Sequence, residues 1–132
     1  MAGRTSYGDR PGGDATRLGT LETQVMDHLW AHGVTTVAQL MAALPGAPAY
    51  TTIATVLNNL RKKRLVARRK DGHASLYEAR ISREEYTARV VDRVFDASGD
   101  REAAMLHFMN RMGHDDLELL REFLRERSET GE

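Results

Sequence analysis

Thr51, Thr52, Thr55, Asn58 and Asn59 crowd hydrogen-bonding side chains into one short stretch of the chain. Read at 100° per residue, Thr51, Thr55, Asn58 and Lys62 share one side of a helix, with Thr52 and Asn59 flanking it. Ile53, Val56, Leu57 and Leu60 take the opposite side as a stripe fit for burial. A threonine offers a hydroxyl to a base edge or a phosphate and a methyl to the thymine methyl. An asparagine can bond to an adenine edge. The start of such a helix attracts a phosphate oxygen, and Tyr50, just before it, could donate its hydroxyl to a nucleic-acid backbone. Thr51 and Thr52 could instead only cap the helix, leaving Asn58 and Asn59 as solvated surface.

Cations follow at once. Arg61, Lys62, Lys63 and Arg64 close this helix and Arg68, Arg69 and Lys70 lie just beyond, so seven positive charges fall within ten residues. Cations at a helix end complement its dipole. This many together repel one another unless something anionic neutralises them, and phosphate is the simplest candidate. His73 follows an Asp71-Gly72 turn at the tip of a hairpin that could lie along a backbone or a minor groove.

Other chemistry finds little support. His28 and His32 stand four apart, a spacing that can place two imidazoles on one metal, but no third ligand is evident and cysteine is absent. There is no phosphate-binding loop, no dinucleotide fingerprint and no nucleophile elbow. The carboxylates are scattered over helix faces without an acid/base pair. Neither catalysis nor a cofactor is expected. No apolar run suits a membrane span, and residues 1–17 lack the apolar core of a secretory signal. Both point to the cytoplasm.

The elements that must position these residues can be read from capping and periodicity. Thr20 is the expected cap of a first helix ending near His32, with Leu21, Val25, Met26, Leu29 and Trp30 as its stripe and Gly33 closing it. Val34-Thr35-Thr36 suits a stub of strand. Thr36 and Gln39 form a capping box that opens a second helix, Val37 to Leu44, stopped by Pro45-Gly46-Ala47-Pro48. The third helix is expected from about Thr51 to Lys63. Two strand-like runs, Leu65–Lys70 and His73–Ala79, flank Asp71-Gly72 as a hairpin. Three amphipathic helices follow: Arg83–Ala97 after Ser82, Arg101–Met112, and one capped by Asp115 and reaching about Arg127.

Helix, strand stub, helix, helix, hairpin is the order of a winged helix-turn-helix. The fold class is therefore mostly α with a small β component (α+β), a winged helix-turn-helix DNA-binding domain followed by a three-helix dimerisation domain. The expected division is a disordered tail over 1–17, the DNA-binding domain over 18–80, the helical domain over 81–128 and a short tail over 129–132. The charge follows this division. Residues 49–80 carry eight basic side chains against Asp71 and Glu78, a net of +6, whereas residues 81–132 carry a net of −5. One half suits phosphates and the other must avoid them. Tyr86, Val90, Val94, Met105, Phe108, Met109, Leu117, Leu120, Phe123 and Leu124 exceed what one thin layer of helices needs, which favours exchange with a second copy. Met105, Phe108, Met109 and Met112 could instead be plain core, and a winged helix could also serve as a scaffold for binding other proteins.

The sequence also resembles the penicillinase repressors, the BlaI/MecI family. The likeness rests on Leu18-Gly19-Thr20-Leu21-Glu22, Val25-Met26 and Leu29-Trp30. It continues in the run Tyr50-Thr51-Thr52-Ile53-Ala54-Thr55-Val56-Leu57-Asn58-Asn59-Leu60, then Lys63-Arg64-Leu65-Val66 and Tyr77. The C-terminal half matches only in helix pattern and in Leu106-His107-Phe108. The resemblance implies a homodimeric repressor on double-stranded, palindromic operators of β-lactamase or related genes. It further implies inactivation by proteolysis through a membrane sensor-protease pathway. The family's bond is typically Asn-Phe, and the aligned pair here is His107-Phe108. Copper-responsive relatives use cysteines, which this chain lacks.

Overall fold

A computed structural model describes residues 17–131. The expected N-terminal tail lies outside the described residues except for Arg17. The described residues form six helices and one hairpin, grouped in two compact units that meet in sequence at Val90 and Val91, ten residues beyond the boundary expected at residue 80. Among the described residues no helix is long and apolar enough to cross a membrane.

In the first unit, α1 spans Thr20–His32. Its cap is Gly19 rather than Thr20, because the Glu22 carboxylate reaches back to accept from the Gly19 N–H at 3.0 Å. Gly33, with φ +81°, takes the chain out of the helix. Thr35 then pairs with Tyr77 through reciprocal backbone bonds of 2.9 and 2.8 Å, the short strand that the Val34-Thr35-Thr36 run suggests. Helix α2, Val37–Ala43, opens on the expected box: the Gln39 N–H donates to the Thr36 hydroxyl at 3.1 Å and the Thr36 N–H to the Gln39 amide oxygen at 2.9 Å.

Helix α3 spans Tyr50–Lys62, one residue earlier at each end than the sequence suggests. Ala49 is its extended cap and supplies no side-chain bond. The hairpin joins β1, Val66–Asp71, to β2, Ala74–Ala79, with Val66 opposite Ala79 and Asp71 opposite Ala74. The two-residue turn is therefore Gly72-His73, one step later than the Asp71-Gly72 signal, with Gly72 at φ +65°. One core serves all of these elements. Val25, Met26 and Leu29 of α1, Leu40 of α2 and Ile53, Leu57 and Leu60 of α3 pack with Leu65, Val66, Tyr77 and Ile81. The Trp30 Nε1–H donates to the Ile81 carbonyl at 2.9 Å, and its ring lies 5.5 Å from that of Tyr86. Arg83 stacks over Trp30 and pairs with Asp27 at 3.2 Å. These contacts fix the start of α4, Arg83–Ala97, against α1.

The second unit holds the rest of α4 with α5, Arg101–Asn110, and α6, His114–Glu129. Asp100 caps α5 by accepting from Ala103 N–H at 3.1 Å, and Arg101 joins Asp92 at 2.7 Å and Asp96 at 2.6 Å. Helix α5 stops two residues before Met112, where the chain tightens through Arg111 N–H to Phe108 C=O and Met112 N–H to Met109 C=O. Gly113 rather than Asp115 precedes α6, and Leu117 N–H bonds to its carbonyl at 3.1 Å. Helix α6 runs through Glu129, the first residue of the expected C-terminal tail. Helices α4, α5 and α6 contain no fully buried residue.

Candidate nucleic-acid interface

Burial of Ile53, Leu57 and Leu60 fixes the rotation of α3. The opposite side then has to face out. Tyr50, Thr51, Thr52, Thr55, Asn58, Asn59 and Lys62 are all exposed, Tyr50 by 59%. Among the described residues none of these side chains forms a hydrogen bond or ion pair within the chain. Neither Thr51 nor Thr52 caps the helix, since the cap position is Ala49 and carries no side-chain bond. The first amides of α3 therefore remain open to an external acceptor. An exposed row of hydroxyls and amides on a helix about 10–12 Å wide matches a major groove of similar width.

The cations divide more sharply than their sequence suggests. Lys63 leaves the open face. Its Nζ donates to the Arg17 carbonyl at 2.9 Å and to both Glu22 oxygens at 3.1 and 3.2 Å, and both side chains are only 14% exposed. An ammonium largely removed from water requires such partners, and one residue of helical rotation separates it from the exposed Lys62. In the hairpin, side chains alternate between faces. Arg68 and Lys70 share a face with Tyr77 and Ser75, whereas Arg69 shares the other with Leu76 and Glu78. Arg69 lies 3.7 Å from Glu78, with both side chains well exposed. An exposed pair of this kind is weak, but it lowers the positive field of that face. Arg68, Lys70 and His73 are exposed, as are Arg61 and Arg64.

Outside this surface, the His28 and His32 rings stack with centroids 4.3 Å apart. Burial, and then the neighbouring His32, push the His28 pKa below its ordinary value. Among the described residues no group of three His, Asp or Glu side chains could hold a metal. His107 and Phe108 lie inside α5 with both side chains exposed, and Phe108 packs edge-on to Phe95 at 5.7 Å.

Residues 18–126 match the model of the penicillinase repressor family. The chain is 44% identical over 117 residues to the transcriptional regulator BlaI of Mycobacterium tuberculosis, strains CDC 1551 and H37Rv, covering 84% of this chain and 85% of that one. It belongs to the penicillinase repressor family. As a member of that family it is a DNA-binding transcriptional regulator and not an enzyme. The solution structure of the DNA-binding domain of the repressor BlaI is similar with a TM-score of 0.49 and 24% identity, over 55% of this chain and 92% of that domain.

In this penicillinase repressor the Arg69–Glu78 pair gives an unequal hairpin. Glu78→Gln is expected to tighten binding to duplex DNA by about twofold at low salt, with the gain fading as salt rises. Arg68→Ala should weaken binding more than Arg69→Ala does. Fluorescence anisotropy across a salt series checks both; equal losses for the two arginines and no gain from Glu78→Gln would refute this division of the hairpin.

Proposed function

We propose that the chain is a sequence-specific repressor that binds a dyad-symmetric operator as a homodimer in the cytoplasm, controlling β-lactamase, antibiotic-response or related genes. The observation that carries this reading is the unpartnered face of α3, Thr51, Thr52, Thr55, Asn58 and Asn59, next to the cationic hairpin. The threonines and asparagines read base edges in the major groove. The open amides at the start of α3 and the hydroxyl of Tyr50 hold the adjoining phosphates. Lys62, Arg68, Lys70 and His73 grip the backbone on either side.

The exposed apolar side chains of the second unit support the dimer. Val94 is 61% exposed, Phe108 48%, Phe123 49% and Leu124 56%. With Met105, Leu117 and Leu120 they present apolar surface on helices that bury no residue of their own. Covering each large side chain contributes on the order of 1 kcal/mol, and the same face on a second copy is the natural cover. Two copies present two recognition helices to two half-sites, while the negative charge of these helices keeps them away from the phosphates.

Two outcomes are expected. Selection from fragmented genomic DNA should return one palindromic site, and Thr52→Ala or Thr55→Ala should cost about 1–3 kcal/mol at that site with little change on unrelated duplexes. Recovery of no preferred sequence would defeat the reading. Phe123→Glu should shift the chain from dimer to monomer in sedimentation equilibrium and weaken operator binding; a dimer of undiminished stability would place the interface elsewhere.

A further inference from the structure

Helix α3 ends in a tight pair of backbone bonds. Leu65 N–H donates to Leu60 C=O at 3.0 Å, and Arg64 N–H to Arg61 C=O at 2.9 Å. This closure requires a left-handed residue between them, and that residue is Arg64, at φ +64°. Glycine is the usual occupant, because any Cβ strains the backbone there. The chain follows that rule elsewhere: the other positive-φ positions among the described residues are glycines, apart from Ala47. The turn cannot relax, since Leu60 and Leu65 on either side of it are completely buried.

The arginine recovers nothing within the chain for this strain. Its side chain is exposed and, among the described residues, makes no hydrogen bond or ion pair. Its charge could complement the carbonyl end of the helix, but Arg61 and Lys62 already occupy that last turn. Adding a third cation beside them, with Arg68 following, raises the repulsion. A strained backbone that carries an unpaired charge points to an external partner. Its position, between the exposed end of α3 and the first strand of the hairpin, is where a duplex backbone would pass if both contact DNA.

We propose that Arg64 is a phosphate-binding residue whose left-handed conformation is tolerated because a cation is required at the junction of α3 and the hairpin. This rests on the DNA-binding reading above. Phosphate binding offsets the strain only in the complex, so fold stability and DNA affinity pull in opposite directions at this one position.

The test combines thermal melting of the full chain with titration of a mixed-sequence DNA duplex, a few helical turns long, over a salt series. Arg64→Gly should raise the melting midpoint by about 3–6 °C. It should also weaken duplex binding on the order of tenfold and flatten the log–log salt slope by about 0.9 per protomer. Arg64→Asn, whose side chain tolerates the left-handed region, should lose the same slope, and Arg64→Lys should keep it without gaining stability. An Arg64→Gly protein with unchanged affinity and slope would overturn the proposal while leaving the DNA-binding reading intact. A lowered melting midpoint would overturn it too, by making Arg64 structural. If the unaltered chain shows no salt-dependent binding, the DNA-binding reading fails and this proposal falls with it.

Discussion

Everything at the interface depends on how α3 is held. Three side chains, Ile53, Leu57 and Leu60, are fully enclosed by residues of α1, α2 and the hairpin. Fully burying each contributes about 1.5–3 kcal/mol, and rotating the helix would give up all three. With one stripe fixed, the opposite stripe is fixed as well, and it holds threonine and asparagine where a surface helix more often carries lysine and glutamate. Under the proposed function, the charge that brings a polyanion close comes from the helix end and the hairpin, and the side chains on the helix are left to discriminate. In the proposed complex, affinity and selectivity would thus reside in neighbouring but separate groups of residues.

The Glu22–Lys63 pair shows the same economy. It joins the beginning of α1 to the end of α3 and also holds the Arg17 carbonyl. Both side chains are mostly removed from water, so separating them would leave an uncompensated charge. The aromatic contacts of Trp30 with Tyr86 and the Ile81 carbonyl do for the start of α4 what this ion pair does for α3. One half of the chain is thereby tied together from Arg17 to the first turn of α4. The helices beyond bury none of their residues and expose several large apolar side chains.

Much of the fold was legible because its signals are local. The Thr36/Gln39 box, Gly33, the proline-flanked turn and the 3.6-residue stripe of α3 each state their conformation within a few residues, and the structure follows them. Signals that compete were misread. Thr20 looked like a cap, but Glu22 serves Gly19 instead, and the Asp71-Gly72 pair marked the hairpin while register with the core moved its turn to Gly72-His73. At the interface, residue type and helical periodicity were enough to find the exposed face. They could not show that Lys63 meets Glu22, a partner 41 positions away, or that Arg69 turns from Arg68 toward Glu78. Arg64 stands two residues past α3 and just before the buried Leu65, at a position where glycine is the usual occupant. Recognising it requires the backbone angle, which the sequence does not state.

The charge pattern unites these features. A chain with no net charge can still attract DNA when its cations gather on one surface and its anions on another. The most direct test of that surface is an amide NMR titration of the full chain with an operator-containing duplex. The account predicts that the largest shifts fall on residues 50–59 and on the hairpin around residues 68–73, with α6 unmoved apart from changes in tumbling. Shifts gathered on α6, with the Thr and Asn side of α3 unchanged, would contradict it.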